Sequence, residues 1–172
     1  PQVDATVDTT VQFNMMAGAF SGGNGDYVTL FEPTATEMEL AGQGYILCSI
    51  GEESGEIPYT AYFAAGDYME KNPEIIQKFT NAIYKGQQWV MTHTDAEVAE
   101  ALAPYFPDTD LSVLETVSAR YRSIGAWNET PAMGEEGLNR LQDVMEEAGE
   151  LQERVEFQQL VDNSYAEKAV NS

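Results

Sequence analysis

The stretch Ser21-Gly22-Gly23-Asn24-Gly25-Asp26-Tyr27-Val28-Thr29-Leu30-Phe31-Glu32-Pro33 decides how the rest of this chain is read. Glycine and asparagine tolerate the positive φ of a tight turn. Residues 27–31 make an apolar-aromatic run of strand length. Pro33 has no N–H to give to a central ladder, so the strand is expected to stop at Glu32. Pro33 also suits the first turn of a following helix. The expected product is a carboxylate at the carboxyl end of a strand, beside a helix N-terminus. In open α/β sheets ligands occupy that rim.

Outward from this corner, the first part of the chain alternates between strand and helix signals. Residues 3–13, rich in Val and Thr, read as a strand or strand entry. Residues 14–21 read as a short helix stopped by Gly22-Gly23, and residues 34–41 as a helix stopped by Gly42. Residues 45–50 and 59–64 read as further strands, with the polar loop 51–56 between them. Strands alternating with short helices imply βαβ units and a largely parallel sheet, so the expected fold class is α/β.

After Gly66 the pattern turns helical. Asn72-Pro73 opens a helix whose apolar face carries Ile75, Ile76, Phe79, Ala82, Ile83 and Trp89. Thr94-Asp95-Ala96-Glu97 is a capping box opening a second helix through Leu102, ended by Pro104 and Pro107. Asp110 can cap a third, with Leu111, Leu114, Val117, Tyr121 and Ile124 on one stripe. Residues 135–148 form a fourth, stopped by Gly149, and residues 157–161 a short fifth.

Three segments carry a resemblance. Gly25-Asp26-Tyr27-Val28-Thr29-Leu30-Phe31-Glu32-Pro33 resembles the "glycine, acid, strand, Glu-Pro" signature of ABC-transporter solute-binding proteins. The branch is the nitrate/sulfonate/taurine and thiamine-pyrimidine-precursor group. Residues 57–64 are similar to the strand that follows in that family, and residues 72–82 to its "Asn-Pro-Glu, amphipathic helix" segment. The likeness runs from about Val7 to about Lys168.

The resemblance implies a type 2 periplasmic-binding-protein-like fold with two lobes, of which these 172 residues are expected to be the C-terminal portion. Residues 1–57 are then a second-lobe α/β segment. Residues 58–172 are a return strand and helices packing on the first lobe, with the hinge at residues 51–58. The resemblance further implies an importer component that traps a small solute between lobes and passes it to a membrane permease. Such a protein is extracellular or periplasmic, and anchored through an N-terminal lipid signal lying upstream. The same fold also hosts pyrimidine-precursor synthases, which depend on a cysteine-rich motif and histidine. This chain holds only Cys48 and His93, neither in such a motif, so the enzyme is the alternative reading.

Composition narrows the chemistry. Hydrophobic residues make up 43% and charged residues 22%, which is a globular balance. No apolar run approaches the length of a membrane span. One cysteine excludes an internal disulfide and any cysteine-cluster metal site. Cys48 is expected to be a buried, inert thiol within its strand-like run. His93, near a helix end, reads as a capping group rather than a catalyst. No nucleophile elbow, Walker loop or dinucleotide fingerprint is present, so no catalytic residue, cofactor or metal is expected.

The formal charge of −21 opposes nucleic acid and anionic lipid. No Lys or Arg precedes Lys71, so the ligand wall offers acids, hydroxyls, amides and aromatics but no cationic side chain. That favours a nitrogen heterocycle over a sulfonate or nitrate. Glu32 is expected to hydrogen-bond or ion-pair with it, and Tyr45 and Tyr59 to stack on it or line the wall. Gly23, Asn24 and Gly25 are expected to give backbone and amide contacts, and Thr34 a hydroxyl or N–H at the helix start.

Overall fold

The computed structural model describes residues 5–172, and within them every regular element is a helix. A 3-10 turn, Phe13–Met15, leads into α1 (Met16–Ser21), followed by α2 (Thr34–Leu40), α3 (Ile50–Ser54), α4 (Gly66–Lys71), α5 (Pro73–Thr92) and α6 (Asp95–Leu102). A second 3-10 turn, Ala103–Tyr105, precedes α7 (Leu111–Ser123), α8 (Glu135–Glu147), α9 (Phe157–Leu160) and α10 (Ser164–Val170).

The core lies where α6 packs on α7. Val98 and Ala99 on α6 and Val113, Leu114 and Val117 on α7 are all buried. α6 begins where the Thr94 capping box puts it. Thr94 accepts from the Glu97 N–H at 3.3 Å, and Glu97 accepts from the Thr94 N–H at 2.8 Å. α2 lies against α7, burying Thr36 and Met38. α10 lies along α5 with Ala166 and Ala169 buried, and Gln77 Nε2 donates to the Tyr165 carbonyl at 2.9 Å.

Side-chain amides tie the long connections to the helices, standing in for the backbone pairing that a sheet would supply. Gln87 and Gln88 on α5 donate to the carbonyls of Thr130 and Glu129 at 3.0 and 2.8 Å. Gln142 on α8 exchanges two bonds with the Val155 backbone, and Asn163 exchanges two with that of Met133.

The α/β expectation is not met among the described residues. Residues 27–31, 45–49 and 59–64 have strand composition but join no ladder. A strand exists only against a neighbouring strand, and none of these segments has one here. Their side chains are correspondingly open: Tyr45 is 89% exposed and Phe63 98%. Cys48, expected to be buried, is exposed for the same reason. Of the strand read at residues 3–13, residues 3 and 4 lie outside the described residues, and the rest joins no ladder before the 3-10 turn begins at Phe13.

The helical readings fare differently. α2, α5, α6, α7, α8 and α9 fall where the pattern placed them. Gly42 and Gly149 stand just past α2 and α8 with φ of 69° and 75°. α10 and the short α3 within the expected hinge loop were not read from the sequence. That loop is fastened to α8: Arg140 Nη1 donates to the Glu56 carbonyl at 2.5 Å.

Candidate ligand-binding site

The 21–33 stretch builds a corner with two different faces. At its start, Gly23 N–H and Asn24 N–H bond back to the carbonyls of Phe20 and Ala19, both at 2.9 Å, closing the end of α1. Gly23 and Gly25 have φ of 85° and 89°, which the missing side chain permits. The glycines therefore form the turn that the sequence predicted, and the Asn24 backbone is part of it. No hydrogen bond joins this turn to Glu32.

Glu32 turns toward the helices. Its Oε2 accepts from the Thr36 N–H at 3.0 Å, satisfying one of the free donors in the first turn of α2. Its Oε1 lies 3.4 Å from Arg120 Nη1 on α7. The same Nη1 donates to Thr36 Oγ1 at 2.7 Å, and Thr36 is fully buried. Arg120 Nη2 pairs with Glu39 Oε2, and Glu39 Oε1 accepts from the Ile46 N–H at 3.1 Å. One guanidinium thus gathers both ends of α2 and, through Glu39, the segment that carries Tyr45. Glu39 is held below the usual carboxylate range by the Ile46 N–H and then by Arg120. For Arg120 itself, burial opposes the charge, but its bonds to Glu39 and Glu32 outweigh it and its pKa is raised. Next along α7, burial raises the Tyr121 hydroxyl pKa, and the Glu32 charge adds to the shift.

Phe31 belongs to the other face. Its ring meets Tyr59 at 5.0 Å and Phe13 at 5.5 Å, both tilted. Three aromatics from three separate segments converge there and stay open to solvent, with Tyr59 76% exposed. Such offset rings present a flat-sided apolar surface. Thr34 begins α2 immediately beyond the corner and is half-buried.

The structure sets Glu32 and Tyr59 on different faces of this corner, Glu32 against Thr36 and Arg120 and Tyr59 against Phe31, with Thr34 at the start of α2. Tyr45 joins them only indirectly, through the Ile46–Glu39–Arg120 chain, and its own ring makes no ring contact among the described residues. Sequence reasoning missed Phe13, Phe31, Thr36 and Arg120. For Arg120 a signal was available. The acids before Lys71 have no counterion within their own stretch, so the few later basic residues must serve them, and Arg120 and Arg122 lie together on one predicted helix.

His93 is the C-cap of α5, stacked on Trp89 at 4.1 Å, with Nδ1 2.7 Å from the Trp89 carbonyl. No group of three or more metal-binding side chains occurs among the described residues. No helix among them is long and apolar enough to cross a membrane.

Comparison with known proteins fits this corner into a family. The family model described as "NMT1/THI5 like" matches residues 3–97, which include the whole 21–33 stretch, α2 and α5. The "Putative binding protein YtlA" of Bacillus subtilis (strain 168) is 40% identical over 171 residues, covering 99% of this chain and 51% of the relative. The chain therefore spans about half the length of that curated relative. No solved structure matches. Membership implies a periplasmic-binding-protein-like fold, although the described residues contain only its helices. The chain belongs to the NMT1/THI5-like family.

Proposed function

We propose that the chain is the C-terminal portion of the solute-binding component of an ABC importer, which closes two lobes on a small nutrient and hands it to a membrane permease. The observation that carries this reading is the set of strand-like segments left open beside the Glu32–Pro33 corner. Residues 27–31, 45–49 and 59–64 present Tyr27, Tyr45, Leu47, Tyr59, Tyr62 and Phe63 to solvent without a ladder. A protein does not normally leave so much apolar strand surface uncovered. A second lobe and a sheet shared with it would cover these segments, leaving the corner at the cleft. The proposed division runs at residue 57, with residues 51–58 as the hinge.

The ligand on this reading is a nitrogen heterocycle. Tyr59 and Tyr45 supply aromatic wall, Gly23, Asn24 and Gly25 the adjoining turn, Thr34 a group at the start of α2, and Glu32 a carboxylate oxygen. Binding proteins of this kind work outside the cytoplasmic membrane, and a lipid anchor upstream of this segment would hold it near its permease. The name of the Bacillus relative supports a binding role rather than an enzyme. The pyrimidine-precursor synthase alternative needs reactive cysteine and histidine, and His93 is occupied in capping α5.

Thermal-shift screening of the full-length protein against thiamine precursors, riboflavin, taurine, alkanesulfonates and nitrate tests the reading. A raised melting temperature with a heterocycle supports it. A shift with only taurine or nitrate overturns the ligand class, and product formation in a turnover assay with iron and pyridoxal phosphate overturns the binding role.

A further inference from the structure

We propose that Asn24 is a site of spontaneous covalent modification: the Gly25 backbone nitrogen closes on the Asn24 side-chain amide, ammonia leaves, and the succinimide opens in water to aspartate and isoaspartate. The inference is independent of what the corner binds.

Asparagine is thermolabile because its side-chain amide lies within reach of the next backbone nitrogen. The reaction needs a free amide, a free N–H on the following residue and an open approach between them. Asn24-Gly25 meets all three conditions. Both residues are exposed. The Asn24 N–H is fixed on the Ala19 carbonyl at 2.9 Å, but neither the Asn24 side chain nor the Gly25 N–H makes a hydrogen bond among the described residues. Gly25 has no Cβ to obstruct its own nitrogen, and its backbone turns more freely than that of any other residue type.

The fold closes the sites that compete with it. Asn24-Gly25 is the only Asn-Gly pair in the sequence, and two asparagines precede a serine, the next smallest neighbour here outside a helix. Asn163 is held on both sides: Oδ1 accepts from the Met133 N–H and Nδ2 donates to the Met133 carbonyl, both at 3.0 Å. Its nucleophile is occupied as well, since the Ser164 N–H donates to Asp162 Oδ1 at 2.9 Å. Asn171 is tied through Nδ2 to the Glu167 carbonyl at 2.8 Å. The remaining asparagines precede a bulky residue or a proline, or lie inside a helix.

The step consumes only water. Hydroxide takes the Gly25 amide proton, the nitrogen pair forms a bond to Asn24 Cγ, and the Cγ–Nδ2 bond breaks with loss of ammonia. Hydrolysis at Cγ restores the main chain as aspartate. Hydrolysis at the Asn24 backbone carbonyl leaves the chain routed through Cβ and Cγ as isoaspartate. Either product adds a negative charge to a chain already at −21. Isoaspartate also lengthens the main chain between the closed end of α1 and the segment that carries Phe31 to its aromatic face.

The test incubates full-length protein at mildly alkaline pH, in buffer and in guanidinium chloride, and follows each asparagine of residues 1–172 by peptide mass mapping. Asn24 is expected to react fastest in buffer and to change by less than about twofold on denaturation, because the fold does not shield it. Asn163 is expected to accelerate by roughly tenfold or more in denaturant, because its bonds no longer have to open first. Isoaspartate at Asn24, which halts stepwise N-terminal degradation of the isolated peptide, marks the succinimide route. An Asn24 rate that denaturant raises tenfold overturns the proposal, as does reaction without isoaspartate. Asn163 matching Asn24 in buffer overturns the ranking that the hydrogen bonds impose.

Discussion

Asp95 and Arg122 fasten three helices at one point. Arg122 Nε on α7 donates to Asp95 Oδ1 at 2.9 Å, while the rest of its guanidinium caps the carbonyls of Val90 and His93 at 3.2 and 3.0 Å, where α5 ends. The same Asp95 oxygen accepts from the buried Ser118 Oγ at 2.9 Å. Arg122→Met leaves a half-buried carboxylate without its cation and two helix-end carbonyls without a donor. It is expected to cost on the order of 2 kcal/mol, a melting shift of roughly 4–8 °C at this chain length. Thermal denaturation measures it. A shift below a degree would mean that α5, α6 and α7 are held by apolar packing alone.

That packing has its own test at Leu114, which is nearly inaccessible on α7, the helix that packs on α6. Leu114→Ala deletes a branched side chain at the centre of a small core, so the neighbours have little freedom to close the gap. A loss of about 2–5 kcal/mol is expected by urea denaturation. The exposed Leu160 on α9 makes the control. Leu160→Ala should stay within about 0.5 kcal/mol.

What could be read from the sequence divides along locality. The Thr94–Glu97 capping box and the Gly42 and Gly149 stops are decided within a few residues, and each is found in place, whereas the stripe read on α7 holds at Leu114 and Val117 but Leu111 is exposed and Val113 is buried instead. The strands read at 27–31, 45–50 and 59–64 depend on partners far away, and their composition alone could not reveal that no partner is paired with them here or that Ile50 opens α3. Glu32 shows both sides. Its place beside a helix start is local and was legible, whereas its direction is set by Arg120, 88 residues on. The aromatic face at Phe13, Phe31 and Tyr59 is likewise a product of three separated segments.

Acid should act through the bonded carboxylates. Arg122, then Ser118, holds Asp95 below its ordinary pKa against the opposing effect of burial, the Thr94 N–H and hydroxyl do so for Glu97, and the Ile46 N–H and Arg120 for Glu39. A carboxyl depressed in the folded state binds its proton more readily when unfolded. Its stabilisation is therefore complete above the ordinary carboxylate range, about 4, and is lost as pH falls through the lower folded value. Melting temperature should drop steeply below about pH 4, and Asp95→Asn should flatten that descent. At neutral pH the dominant charge effect is the opposite one, self-repulsion from a net −21. Added sodium chloride shortens the screening length to a few ångströms and should raise the melting temperature. A fall with salt would show that the ion pairs at Arg120 and Arg122 outweigh the excess of acid.

Phe63 offers the sharpest test of what covers the open segments. It is almost wholly exposed, next to Tyr62, whose ring meets Phe79 of α5 edge-on at 4.9 Å. In residues 1–172 alone, Phe63→Asp removes no buried contact and should leave stability within about 0.5 kcal/mol, while lowering the tendency to aggregate. If a second lobe covers these segments, as proposed, a covered phenylalanine contributes roughly 1.5–3 kcal/mol, and in a protein that includes that lobe the same substitution should cost at least that much. Denaturant midpoints measured on both lengths decide the matter. Equal and negligible losses would mean that Phe63 stays in solvent even in the longer protein, and that the shared sheet does not reach residues 59–64.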